Sequence, residues 1–296
     1  MAGVENRSSF EATTNDRQYQ SINRNFVSDN LSVRPGMHIL DVGSGTGLIS
    51  GFIADRFMGL PVQITGVEPS ESAVAVAKVR VQTRGETAVT FHQGFGQELG
   101  KFVDPENIDV AFAGNNIHEL ENFGALKETL DKAAIALKPG GEFVANSTFM
   151  AESTPMAAMK ALGEWKLTAM KLLGAKRDKA AKTFAAHPID HYKTRFEDAG
   201  LEVVSVREVH VNVGADLLRA IAEYDTFAHG MADDLIVPEE SIPDGMDRLT
   251  YVKQALVQAV TILEEKHKEQ HGPDAQFTIP RNWIEIKARK PLGQAA

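Results

Sequence analysis

Asp41, Gly43, Gly45 and Gly47 stand at alternate positions where an apolar run, Ile39-Leu40, gives way to a new apolar pattern at Leu48, Ile49, Phe52 and Ile53. The first run suits a strand and the second has helical spacing, so the glycines fall in the turn between them. Glycines there let the backbone pass close under a ligand, and the helix start offers unpaired N–H groups with partial positive charge. The stretch, Ser44 included, is built for a nucleotide-like ligand. A second β-prone run, Gln63-Ile64-Thr65-Gly66-Val67, ends in Glu68-Pro69-Ser70. A carboxylate at a strand end can accept hydrogen bonds from two vicinal ribose hydroxyls, and Ser70 can cap the next helix. A third cluster, Asn115-Asn116-Ile117-His118-Glu119-Leu120, follows the apolar run 108–114. Histidine is the side chain whose ordinary charge change falls nearest neutral pH, which suits His118 to general-base work.

These residues need elements to carry them, and the chain reads as alternating strands and helices. Tyr19, Ile22, Phe26 and Val27 predict a helix over 16–30, after a polar arm over the first fifteen residues. Strands are expected at 39–42, 63–68, 89–95, 108–114 and 142–144, with helices over 73–84 and 123–137 between them. Further on, a helix is expected over 154–184, another opening at His187 and ending at Gly200, a strand over 201–211, helices over 215–231 and 245–268, and a last strand near 283–289. His187 and His191 share a helix face at metal-binding spacing, but no third ligand is evident in the sequence, so they read as solvated side chains at a capped helix start.

The chain has 296 residues, a net charge of −9 and no cysteine, which excludes disulfides, thiolate metal sites and cysteine nucleophiles. No basic block follows a phosphate backbone, so nucleic acid is not the expected partner. No secretion signal and no membrane-spanning run are visible, and a soluble cytoplasmic protein is expected.

The motif Asp41-x-Gly43-x-Gly45-x-Gly47 resembles motif I of the class I S-adenosylmethionine-dependent methyltransferases, and Glu68, the 115–120 tip and the turn Leu137-Lys138-Pro139-Gly140-Gly141 follow it in that family's order. The tip is similar to the Asn/Cys-x-x-His tips of small-molecule methyltransferases of the ubiquinone and menaquinone type. A dinucleotide fingerprint would need a third glycine where Leu48 stands, which disfavours the rival reading as an NAD-dependent oxidoreductase. The resemblance covers about 37–149 well and the later strands loosely. It implies an α/β, Rossmann-like fold with a seven-stranded mixed sheet, helical cap insertions, and S-adenosyl-L-methionine as cofactor. It also implies roles: Glu68 on the ribose, Pro69, Gly94 and Phe95 around the adenine, and Tyr19, Asn115 and the glycine turn toward the methionine end. The family commonly has aspartate after the third-strand glycine; Phe95 stands there and would pack on the adenine instead.

The expected organisation is an N-terminal arm and helix (1–30), a cofactor-binding core (31–150), a helical cap segment (151–200) and edge strands (201–296) with a helical insertion (214–270). The expected function is methyl transfer to a small, partly apolar molecule at oxygen or carbon, with His118 as base and no metal. A module that binds the cofactor without transfer is the alternative from another class. A homodimer is compatible with the sequence.

Overall fold

The computed structural model describes residues 10–83, 85–181 and 185–292. Most of the expected polar arm, Arg84 at the end of one expected helix and 182–184 at the end of another lie outside them. The strands are β1 (His38–Val42), β2 (Val62–Glu68), β3 (Thr87–Gln93), β4 (Ile108–Gly114), β5 (Leu137–Ser147), β6 (Lys176–Arg177), β7 (Glu202–Gly214), β8 (Leu235–Ile236) and β9 (Thr278–Arg289). Seven of them form one sheet in the order β3-β2-β1-β4-β5-β9-β7, while β6 and β8 pair separately. The first five are parallel, and β9 runs antiparallel between β5 and β7. This is the α/β, Rossmann-like mixed sheet expected from the sequence.

Alternating side chains give the sheet two apolar faces. Ile39, Ile64 and Phe112 pack with residues of α2 (Arg17–Asn30), α3 (Leu48–Arg56) and α4 (Glu71–Arg80), which follow a short α1 (Glu11–Asn15). Leu40, Phe143 and Ile286 pack with residues of α6 (Leu126–Ala136) and α8 (Ile189–Asp198). A third core joins α7 (Met156–Leu172), α9 (Ala215–Ala222), α10 (Asp225–Ala232) and α11 (Arg248–His271) around Trp165, Leu256 and Trp283. Trp165 Nε1 donates to the Leu256 carbonyl at 2.9 Å. Two cap segments remote in sequence therefore share one core, while α8 belongs to the sheet face.

Several element boundaries differ from the sequence reading. The helix expected to 184 stops at Leu172, because Gly174 takes φ +62° and Lys176–Arg177 then pairs with β8. The helix expected over 215–231 breaks between α9 and α10, where Tyr224 is extended. A short helix, α5 (Ile117–Asn122), stands in the expected tip, and Gly124 at φ +69° separates it from α6. Among the described residues no helix is long and apolar enough to cross a membrane.

Asp41 ties β1 to α3. Its Oδ2 accepts from Ser50 N at 3.0 Å and Ser50 Oγ at 2.6 Å. Burial pushes its pKa from the usual 3.8 to about 6, against the pull of the Ser50 hydrogen bonds and with a further push from the Glu68 charge. The folded state thus binds a proton more tightly than the unfolded chain, so stability falls as pH rises from about 4 to 6 and then levels off. At about 1.36 kcal/mol per pKa unit, the buried charge costs about 3 kcal/mol at neutral pH. Asp41→Asn keeps an acceptor for Ser50 and removes the charge. We expect it to raise unfolding free energy at pH 7.5 by about 1–2 kcal/mol and to change little at pH 4. Equal effects at both pH values in denaturant titrations would refute this.

Candidate functional site

The glycine turn is left-handed at each glycine, with φ of +66°, +52° and +83° at Gly43, Gly45 and Gly47. A Cβ on Gly43 would lie 2.1 Å from Asn116 Nδ2, which donates to the Val42 carbonyl at 2.6 Å and so binds the β4 tip to the turn. Gly45 N donates to Glu68 Oε2 at 3.0 Å, and Ser70 N donates to Oε1 at 3.0 Å. Glu68 is fully buried, its carboxylate clasping the turn to the end of β2.

The β4 tip is set by Asn115, which adopts φ +52°. Its N–H donates to Asn146 Oδ1 at 2.6 Å, and its own Oδ1 accepts from Thr148 N at 3.1 Å. His118 opens α5, with Nδ1 3.0 Å from Ser147 Oγ and its ring 4.5 Å from that of Phe149. Glu119 beside it is buried and accepts from the Tyr224 hydroxyl at 2.8 Å.

A cavity of about 60 Å³ is walled by Tyr19, Gly43, Gly45, Asn115, His118 and Trp283, among others. Five predicted site residues meet there. Tyr19 is both packing and wall: it is 3% exposed, and burial raises its phenol pKa. Asp41, Ser44 and Glu68 lie buried within or beneath the turn, and Gly47 caps α3, where a Cβ would press at 3.1 Å on Ala77 of neighbouring α4 and on Val81 just after it. Pro69, Gly94 and Phe95 do not wall that cavity but stand at the tips of β2 and β3, where Gly94 N donates to the Glu68 carbonyl at 3.1 Å and Phe95 is half exposed.

The part of the arm that is described is ordered by Arg80. Its guanidinium donates to Thr46 Oγ1 at 2.6 Å and to Asn15 Oδ1 at 3.2 Å, holding α1 over the turn. Phe10 and Thr13 thereby join the cavity wall.

Beyond His118 lie two largely apolar chambers under the cap. One, of about 230 Å³, is bounded by His118, Glu119, Phe123, Phe149, Tyr224 and Phe227. The other, of about 370 Å³, is bounded by Phe149, Leu162, Trp165, Phe227, Arg281 and Trp283. Phe149 borders all three spaces. Sequence reasoning missed Phe149, Tyr224, Phe227, Arg281 and Trp283. The available signals were a charged residue inside an apolar strand and an aromatic at a helix break.

The two histidines are not the solvated pair expected. Their rings stack at 4.2 Å, and His191 Nε2 lies 2.8 Å from Glu121 Oε1, an oxygen that also accepts from Arg195 at 2.8 Å. Burial pushes the Glu121 pKa up, but these partners outweigh it and hold it below the usual carboxylate range.

The sequence model of a methyltransferase-domain family matches residues 34–200. A ubiquinone biosynthesis O-methyltransferase of Bradyrhizobium sp. (strain ORS 278) is 30% identical over 118 residues, 40% of this chain and 42% of that protein. A demethylmenaquinone methyltransferase of Symbiobacterium thermophilum is 29% identical over 143 residues, 48% of this chain and 54% of that protein. The matches thus span about half or less of these relatives' length. In three dimensions, phosphoethanolamine N-methyltransferase 2 of Haemonchus contortus in complex with S-adenosyl-L-methionine superposes with a TM-score of 0.53 at 16% identity, covering 96% of this chain and 56% of that one. This likeness shows the fold. With the glycine turn, the strand order and a family match over more than half of its length, the chain belongs to the class I S-adenosylmethionine-dependent methyltransferases.

Proposed function

We propose that this chain transfers a methyl group from S-adenosylmethionine to a small, partly apolar acceptor, at oxygen or carbon. The observation that carries this reading is the position of His118, which borders both the cavity at the glycine turn and the apolar chamber beneath the cap. A module that only bound the cofactor would need no such chamber. The quinone-methylating relatives support a small acceptor of this kind.

The residues at the turn fit the cofactor. A Cβ on Gly45 would meet nothing within 4 Å, so the turn leaves an open cradle there, and the Glu68 carboxylate stands where the turn meets β2. When bound, the cofactor supplies a methyl group on a sulfonium. The cavity of about 60 Å³ is far below the roughly 300–1,000 Å³ of small-molecule sites, so entry of the cofactor requires Phe10 and Thr13 to move with α1.

The chain's own task is then positioning. Holding the acceptor in line at near-attack distance can supply up to about 7–11 kcal/mol in model reactions. Phe149 and Phe227 shape the acceptor's space, and His118 takes the proton from a hydroxyl or acidic carbon, with Ser147 orienting its Nδ1. The cysteine-free chain is in keeping with a cytoplasmic enzyme.

Calorimetric titration should show binding of S-adenosylmethionine and S-adenosylhomocysteine and none of NAD; binding of NAD alone would overturn the reading. Hydrogen bonds to charged groups contribute about 1.5–3 kcal/mol, so Glu68→Ala should weaken cofactor binding at least about tenfold. An unchanged dissociation constant would remove Glu68 from the site. His118→Asn should lower turnover with little change in cofactor affinity, and undiminished activity with every acceptor found would exclude it as the base.

A further inference from the structure

Arg281 occupies a position that the pattern of β9 reserves for apolar side chains. Ile279 and Trp283, two residues either side, are buried in the cap core, so alternation turns residue 281 to the same side. There Arg281 borders the larger chamber, with Leu162, Trp165, Phe227 and Met231 on its walls. Its Nη1 donates to Thr154 Oγ1, its Nη2 to the Thr148 carbonyl, and its Nε lies 3.4 Å from Thr148 Oγ1. Its guanidinium carbon lies 6.0 Å from the centre of the Phe149 ring.

These bonds fix the guanidinium without neutralising it. Three of its five N–H groups are engaged, leaving one on each terminal nitrogen. Among the described residues no carboxylate forms an ion pair with Arg281, and burial alone acts on its pKa, pulling it down to about 10, so it stays charged at neutral pH. The other cation on the chamber wall, Lys166, is already paired with Asp234. A desolvated charge is costly unless paired, and a planar fork with two free donors matches a carboxylate.

We infer that Arg281 anchors a carboxylate on the acceptor, so that the acceptor is an amphiphilic acid whose apolar body lies along Trp165 and Phe227 with its acid head on Arg281. This rests on the methyl-transfer reading proposed above and narrows its substrate class: the larger chamber adjoins the one beside His118, the two sharing Phe149, Phe227 and Met231 as walls. The cofactor also carries a carboxylate, but Arg281 does not border the cavity at the glycine turn; Thr148, Phe149 and Trp283 border both spaces and stand between.

The test needs neither cofactor nor turnover, so its outcome is separable from that of the methyl-transfer reading. The chain has two tryptophans, Trp165 and Trp283, and both border this chamber, so their fluorescence reports its occupancy. The probes are octanoate and octan-1-ol at pH 7.5, equal in chain length and different in charge. The intact protein should bind octanoate about tenfold or more tightly than octan-1-ol. Arg281→Met should abolish that preference, and Arg281→Lys should retain part of it. Equal affinity for the acid and the alcohol in the unmodified protein would overturn the proposal, as would a preference that survives in a folded Arg281→Met. If Arg281→Met does not fold, the unmodified protein and Arg281→Lys decide it. Calorimetry with S-adenosylmethionine separates the two carboxylates: its affinity should be unchanged in Arg281→Lys, and a loss there with octanoate binding intact would assign Arg281 to the cofactor instead.

Discussion

The hydrogen bond from Gly45 N–H to Glu68 draws the turn after β1 onto the end of β2, and the rest of the site hangs on that closure. It places two buried carboxylates, Asp41 and Glu68, under one stretch of backbone, and Glu68 adds to the push on the Asp41 pKa. The arrangement holds because N–H groups converge on both: Ser50 on Asp41, and Gly45 and Ser70 on Glu68. The partial positive charge at the start of α3 acts in the same direction. The turn is therefore a compact electrostatic object, and the absence of a side chain at Gly43 lets Asn116 fasten β4 to it as well.

The space beyond the turn has a different origin. β9 pairs with β5 only as far as Ile284, whereas its pairing with β7 continues to Thr278. The β7–β9 ribbon thus overhangs the sheet by six residues, about 20 Å at about 3.4 Å per residue. The overhang carries Ile279, Arg281 and Trp283, and the insertion between the two strands folds back on it with α7. A chamber forms because this ribbon and the helices meet above the strand tips, not because any one segment encloses a cavity.

What was legible in the sequence follows the range of the interactions. The turn, Glu68 and the Ser70 cap arise within a few residues, and the glycine spacing records them directly. The seven-stranded mixed sheet followed from the family resemblance of those local signals. Arg80 on Thr46, Tyr224 on Glu119 and His191 on Glu121 join segments remote in sequence, and nothing local marks either partner. The same limit explains the cap: the apolar stripes of α7 and α11 were visible separately, but that each is the other's partner was not. Asn115, at φ +52°, precedes a short helix, Ile117–Asn122, that no apolar period announces.

One consequence joins the two halves. Arg80 joins the hydroxyl and carbonyl of Thr46, a residue inside the glycine turn itself, to Asn15 of α1, and α1 in turn bonds to the cap through Thr13 Oγ1 and the Ala220 carbonyl at 3.0 Å. Phe10 extends the link, its ring 4.7 Å from that of Tyr224, whose hydroxyl reaches Glu119 next to His118. On the methyl-transfer reading, a ligand that displaces Phe10 and Thr13 from the cavity disturbs the wall of the acceptor chamber at the same time. Closing α1 behind it restores Tyr224, excludes water from the neighbourhood of His118 and strengthens the electrostatics there. On that reading the walls of the donor and acceptor sites are linked through one short helix.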